Sequence, residues 1–384
     1  MLRNQEKRAC QNLMKLTKGT VSFLVALVLS IIATFLPVPI WNKLIVIVLV
    51  IAIALFINKA TLYFIRGNLL LSSKKEADHD KSWNYYRKAM ESGKLSYKYM
   101  TTAASFFIQQ GDAAYGLKAL DKVIEGTKDN ETLQIAKIQK SMGLQLTGKL
   151  DEAISILEEV RASGFDNRFL FINLSSYYLY AGKYEEAGIC LKEGRKYINE
   201  SAGMADNEGW LAIVREDWKK AEEVYSDMME RRPRFPDPYV HAAQVKLHYG
   251  KIDEAIAMFN IAMTKKWNFT TLLNKEKVET YIKGLSDETT RDQLCVTLNA
   301  SPVEVARGAE PKQLSEAQVS KLIKKGFPKE PKAAIDTQHL AQKSAANDLP
   351  EENAGAIKKV ADQELPNTDL TEDDQRWLEE HSDD

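Results

Sequence analysis

A motif of six residues returns along this chain at a fixed interval. Gly182 opens G-K-Y-E-E-A, Gly148 opens G-K-L-D-E-A and Gly250 opens G-K-I-D-E-A. Weaker copies start at Gly111 (G-D-A-A-Y-G) and Glu216 (E-D-W-K-K-A). The anchors 111, 148, 182, 216 and 250 are 37, 34, 34 and 34 residues apart. Chance matches do not stay in register over five copies, so the chain is expected to build one supersecondary unit repeatedly and to stack the copies.

The stretch Arg168–Ser201 shows why each unit is expected to be two helices. Phe171, Leu174, Tyr178 and Ala181 recur at steps of three and four, as one apolar face of a helix does. Gly182 stops that helix, because glycine takes a left-handed backbone at little cost. Ala187, Leu191 and Gly194 then share one side of a second helix, and small residues there allow close approach. Neither helix buries its face alone, so the units must stack. Prolines agree by absence, with none between Pro39 and Pro233.

These residues resemble the tetratricopeptide repeat, an antiparallel helix-turn-helix of 34 residues. With the family frame set at Arg168, Phe171 takes the first aromatic position and Leu174 the leucine. Ser175 takes the small-residue slot, Tyr178 the tyrosine and Ala187 the small residue of the second helix. The frame extends to residues 97–130, 134–167, 202–235 and 236–269, and Pro233 falls on the closing proline position. Trp83, Tyr86, Ala89 and Met90 match a second helix, so 63–96 reads as a degenerate first repeat. Glu216 in place of the turn glycine, Gly116 and Gly188 in second helices, and an insertion at 131–133 depart from the pattern.

The amino-terminal end has a different grammar. Residues 19–42 carry no charge, Val21 to Leu36 is almost wholly aliphatic, Pro37-Val-Pro39 breaks the run, and Leu44 to Ile57 is apolar again. About 20 apolar residues span a bilayer, so 19–62 is expected to be a transmembrane hairpin whose second span runs on through Lys59. No small-residue cleavage site precedes a soluble stretch, which argues against a removed signal peptide. Arg3, Lys7, Arg8, Lys15 and Lys18 precede the hairpin, and Lys59, Arg66, Lys74 and Lys75 follow it. The loop between holds only Lys43, so both termini and the repeats are expected on the cytoplasmic side.

The expected fold is therefore all-α. A basic arm (1–18) precedes the two-helix hairpin (19–62) and a TPR-type solenoid (63–269). A capping-helix region (270–298) and a largely disordered tail with short helices (299–384) follow. Six of the eleven prolines lie after Asn299. Two islands interrupt the tail: Ser315 to Lys325, opened by a Ser315/Gln318 capping box, and Thr371 to His381, with Trp377 and Leu378 among acids. The second is either an anchor that folds into a partner's groove or part of a solubilising acidic tail.

Composition and motifs exclude several function classes. Net charge is −1, giving no field for nucleic acid. Cys10, Cys190 and Cys295 are isolated, which suits a reducing compartment and excludes a zinc ribbon. The sequence has no G-x-x-x-x-G-K-[ST], G-x-G-x-x-G, H-E-x-x-H or G-x-S-x-G motif. His241 and His248 are seven apart on one expected helix, but a metal needs further ligands. The acid pairs of the G-K-Y-E-E-A motifs suit helix starts rather than acid–base chemistry. No enzyme, cofactor or small-molecule substrate is expected.

The family resemblance implies that the first helices line a concave groove for peptides or helices. Its groove positions fall on Thr102, Gln109, Gln139, Met142, Asn173, Ser176, Tyr180, Asn207, Trp210, His241, Gln244 and His248. Each of these residues can instead pack neighbouring repeats, above all Tyr180 and Trp210. The basic clamp of relatives that bind carboxylate tails is absent here, though two asparagines remain. The expected function is a membrane-anchored cytoplasmic scaffold with protein partners. The alternative is a non-catalytic subunit of a membrane enzyme or transporter that makes its contact through the hairpin.

Overall fold

The computed structural model describes residues 18–35, 37–198 and 200–330, all of whose regular secondary structure is helical. The basic arm before Lys18 and the Trp377–Leu378 island lie outside the described residues. The described chain falls into two compact units that divide at Ala103–Ala104.

In the first unit, α1 (Lys18–Thr34) and α2 (Ile40–Ile57) pack as a pair. Lys43 Nζ donates to the Thr34 carbonyl at 2.7 Å across the turn. Ala26 and Ala54 are buried, while the large apolar side chains point outward, Val48 63% and Leu27 58% exposed. Among the described residues one helix, Ile40–Ile57, is long and apolar enough to cross a membrane. The described part of α1 has 17 residues.

The second apolar run ends at Ile57 instead of continuing through Lys59. Asn58 leaves helical geometry (φ −94°, ψ 13°) and turns its side-chain nitrogen back to the Ala54 carbonyl at 2.8 Å. A new helix, α3 (Lys59–Leu71), starts at the next residue and packs on α4 (Glu76–Glu91). Their crossing is close because position 67 is glycine. A Cβ there would lie 2.7 Å from the fully buried Tyr86 ring, whose hydroxyl donates to Asn68 Oδ1 at 2.6 Å. This helix pair overlaps the stretch 63–96, where the sequence leads one to expect a degenerate repeat.

The helices that follow are α5 (Tyr97–Gln109), α6 (Ala113–Gly126), α7 (Asn130–Leu146), α8 (Leu150–Ala162), α9 (Arg168–Tyr180) and α10 (Tyr184–Gly194). After these come α11 (Ala202–Val214), α12 (Trp218–Arg231), α13 (Asp237–His248) and α14 (Ile252–Thr264). The pairs α7–α8, α9–α10, α11–α12 and α13–α14 pack together, and each pair packs on the next. Five turns share one geometry. The residue after each Gly-type anchor donates its N–H to the carbonyl five residues earlier, as Lys183 does to Tyr178 at 2.8 Å. Gly111, Gly148, Gly182 and Gly250 supply the positive φ this needs, and at the fourth turn Glu216 adopts it too, at φ 58°.

The core follows the frame. Phe171, Leu174, Tyr178, Ala187 and Leu191 are all buried. A Cβ on Gly194 would lie 2.8 Å from Met204 and 2.9 Å from Phe171, so that small residue sets the approach of two units. Gly116, a departure from the repeat pattern, occupies the crossing of α5 and α6, with its would-be Cβ 2.5 Å from Ile108. The three inserted residues 131–133 form an extra turn at the start of α7, which has 17 residues where α9 has 13. Beyond the repeats, α15 (Lys275–Ser286) packs on α14, and α16 (Arg291–Asn299) packs on α15 and α13.

The chain does not leave the array at Asn299. Residues 299–330, placed by composition in a largely disordered tail, form α17 (Pro302–Ala306) and α18 (Glu316–Lys325) and pack back on the repeats. The Ser315/Gln318 capping box is present in full.

Candidate functional site

The first helices α7, α9, α11 and α13 are neighbours along one face. Two polar rungs tie them together. Between α9 and α11, Asn207 donates to the Ile172 carbonyl (2.9 Å), Ser175 Oγ (2.8 Å) and Ser176 Oγ (2.9 Å). Its own oxygen accepts from Ser176 at 3.1 Å. Between α11 and α13, His241 Nδ1 lies 2.9 Å from Asp206 Oδ1, and the Tyr225 hydroxyl donates to the same carboxylate at 3.2 Å. Trp210 stacks on His241 with ring centroids 5.4 Å apart.

Over α11 and α13 this face is covered by the chain itself. Asn299 donates to the Leu247 carbonyl at 2.6 Å, Gln244 donates to the Pro302 carbonyl at 2.7 Å, and His241 Nε2 faces the Ala306 carbonyl at 3.3 Å. Val305 and Ala306 are buried. Arg307 then reaches α9, with its guanidinium carbon 5.6 Å from the centre of the Tyr180 ring. Further on, Phe327 packs against the Gly250 turn, where a Cβ would lie 2.5 Å from its ring. Glu330 binds both Lys246 Nζ (2.9 Å) and Lys251. Lys246 is itself buried and also holds Glu222 at 2.8 Å.

The twelve residues assigned to the groove therefore separate. Asn207, Trp210, His241, Gln244 and Gln109 are buried. Asn207 and Trp210 pack one repeat on the next, while His241 and Gln244 hold residues 302–306. The Gln109 carbonyl accepts from the Phe269 N–H at 3.2 Å, which brings the end of the last repeat to the end of α5. His248 stacks on Trp218 at 3.9 Å, and burial pushes its pKa down to about 4. It faces a different partner from His241, and no group of three metal-ligating side chains occurs among the described residues. Gln139, Met142, Asn173, Ser176 and Tyr180 remain half-buried on α7 and α9. Thr102 is half-buried on the part of α5 that belongs to the first unit.

Sequence reasoning missed Asp206, Tyr225, Lys246 and the 299–330 strap. A faint signal existed for Asp206 and Lys246, since each is a charge inside an otherwise apolar first-helix face. Cys190 and Cys295 are buried free thiols, both pushed up to about 12 by burial, which makes them packing residues rather than nucleophiles.

No family model matches this chain, and no curated protein does. Among solved structures it is similar to a tetratricopeptide repeat protein from Parabacteroides merdae. The similarity has 14% identity and a TM-score of 0.42, over 65% of this chain and 92% of that one.

Proposed function

We propose that this chain is a membrane-anchored scaffold that captures a protein partner on the first-helix face of its repeats. The observation that carries this reading is the stretch on α7 and α9 that the described strap reaches only at Tyr180. There Gln139, Met142, Asn173, Ser176 and Tyr180 stay half-buried. Gln139 Oε1 and Asn173 Nδ2 are buried without a hydrogen-bond partner, one an acceptor and the other a donor. An extended peptide offers both complements from its backbone, and Tyr180 offers apolar area beside them.

The paired apolar helices α1 and α2, with their side chains turned outward, support an anchor. The basic residues that flank the hairpin support a cytoplasmic array. An anchored array meets its partners at raised effective concentration, so modest contacts suffice. Co-purification from detergent-solubilised membranes tests the reading by comparing wild type with Gln139→Ala/Asn173→Ala/Tyr180→Ala. Loss of the wild-type partner with an unchanged melting curve is expected, and retention of it sinks the assignment.

The continuous exposed apolar surface of the hairpin also fits a second reading, a subunit held by intramembrane contacts. Replacing residues 19–57 with an unrelated hairpin preserves partner capture under the first reading and abolishes it under the second.

A further inference from the structure

The strap formed by residues 299–330 binds the repeats as a ligand would. Its contacts to the first-helix face are directed at backbone. Gln244 and His241 meet the carbonyls of Pro302 and Ala306, four residues apart on one side of α17. A helix of five residues is far below the length that is stable alone in water, so the face to which it is bound holds its shape. Val305 and Ala306 beside these carbonyls are buried, and Arg307 covers Tyr180.

This contact is less complete than the Asn207 rung between α9 and α11. The Asn207 rung satisfies both its amide groups. Where the strap meets the repeats, five buried polar atoms have no hydrogen-bond partner: Trp210 Nε1, Gln244 Oε1, Asn299 Oδ1, Glu304 Oε2 and Arg307 Nε. Buried polar groups are nearly always paired, so these five atoms, like Gln134 Oε1, Gln139 Oε1, Gln145 Oε1 and Asn173 Nδ2 on α7 and α9, are places where a ligand can improve the fit. The remaining fastening is mixed: Glu310 to Lys277 at 3.0 Å, buried Val319, Phe327 on the Gly250 turn, and Glu330 to Lys246 and Lys251.

We propose that Ser301–Arg307 is an exchangeable occupant of the face formed by α11 and α13, and that the scaffold's partner enters there with a short helical turn of the same chemistry. That element presents two carbonyls four residues apart to Gln244 and His241, a small apolar pair beside them, and an arginine over Tyr180. The inference rests on the scaffold reading and deepens it. Tyr180 belongs both to the open stretch on α9 and to the Arg307 contact, so a partner seated on the open stretch competes for the ring that secures the strap. Tethering gives the strap a high effective concentration, and the Glu330 fastening is the point where release begins.

The test uses the full chain in detergent, as wild type and as Glu330→Lys, with a synthetic peptide of residues 299–312 as probe. In wild type, the amides of Val305, Arg307, Gly308 and Ala309 are expected to exchange with deuterium at least 100-fold faster than those of Ile213 and Leu247. Glu330→Lys is expected to speed their exchange further and to tighten peptide binding at least ten-fold. Adding Gln244→Met is expected to remove that gain. Equal protection of the strap and of α13 in wild type overturns exchangeability. Failure of the peptide to bind Glu330→Lys overturns the assigned ligand. If the peptide behaves as expected while the Gln139/Asn173/Tyr180 variant still captures the natural partner, the partner reading fails and only the cis exchange stands.

Discussion

Asp206 and His241 sit 2.9 Å apart on successive first helices, and their surroundings favour the charged imidazole. A carboxylate and the Ala306 carbonyl are both acceptors, so an imidazolium satisfies both with its two N–H groups. Burial alone would push the His241 pKa down. The hydrogen-bonded Asp206, with Asp237 further off and the Ala306 carbonyl at the other nitrogen, holds it above its ordinary value of 6.5. Tyr225 also faces the pair, and its hydroxyl stays protonated because burial and Asp206 raise its pKa well above the usual phenol value.

A raised histidine pKa contributes stability that is fully present below pH 6.5 and is lost as pH rises through the folded value. The difference in urea midpoint between wild type and Asp206→Asn/His241→Gln should therefore shrink from pH 6 to pH 9. A flat difference would show that the imidazole is neutral in the folded chain.

His248, seven residues along the same helix, should act with the opposite sign. Its pKa is lowered to about 4, so acidification below 6.5 charges the unfolded chain first and drains stability until the folded value is reached. His248→Phe keeps a ring on Trp218 and should flatten the acid limb of the stability profile between pH 6.5 and 4. Retention of the wild-type slope would mean that other groups dominate that limb.

Asn207→Ala leaves the Ile172 carbonyl and two serine hydroxyls without their shared donor. The expected cost is about 1–3 kcal/mol in chemical denaturation. Because Asn207 is buried, partner capture through α7 and α9 should survive at temperatures where the variant is folded. Selective loss of capture would return Asn207 to the binding surface.

Lys246 is 97% buried by its side chain and holds Glu222, also buried. Lys246→Met strands that carboxylate, at a cost of about 3–5 kcal/mol. Lys246→Met/Glu222→Gln should recover most of the loss, since the Glu222 charge is gone and Glu254 and Glu330 keep Lys251 as a partner. Equal destabilisation of the single and double variants would place the energy in packing.

Glu216 adopts the left-handed turn that glycine serves at the four sister positions. Glu216→Gly relieves about 1–2 kcal/mol of strain. Part of that gain is offset by the freer unfolded chain, leaving a rise of about 0.5 kcal/mol in unfolding free energy. A fall instead would show that the Glu216 side chain contributes something the turn geometry does not.

The repeats were legible because their determinants are local and periodic. Phe171, Leu174 and Ala187 recur in register, and each turn signals itself with glycine at the position that needs positive φ. The capping box at Ser315 was legible for the same reason. The strap was not, because its partners are single events. Pro302 meeting Gln244, or Glu330 meeting Lys246, joins residues 58 and 84 apart with no repeating pattern between them. The prolines after Asn299, which read as a sign of disorder, include Pro302, whose fixed φ suits the first turn of α17. In the groove, residue type alone could not separate Asn173 from Asn207. Both amides hold the same position in the frame, yet the serines facing them from the preceding repeat differ. Asn207 meets Ser175 and Ser176, while the residues one repeat earlier are Ser141 and Met142.

The single residue between α2 and α3 has a geometric consequence. Asn58 breaks the helix but remains bonded to Ala54 on one side, and its carbonyl accepts from Leu62 at 3.0 Å on the other. The joint is one residue long and hydrogen-bonded on both sides. Phe64 and Leu70 just beyond it are buried, and the Phe64 ring lies 5.7 Å from that of Tyr86 on α4. The helix pair that follows therefore starts directly from the apolar helix, with no stretch of irregular chain between them.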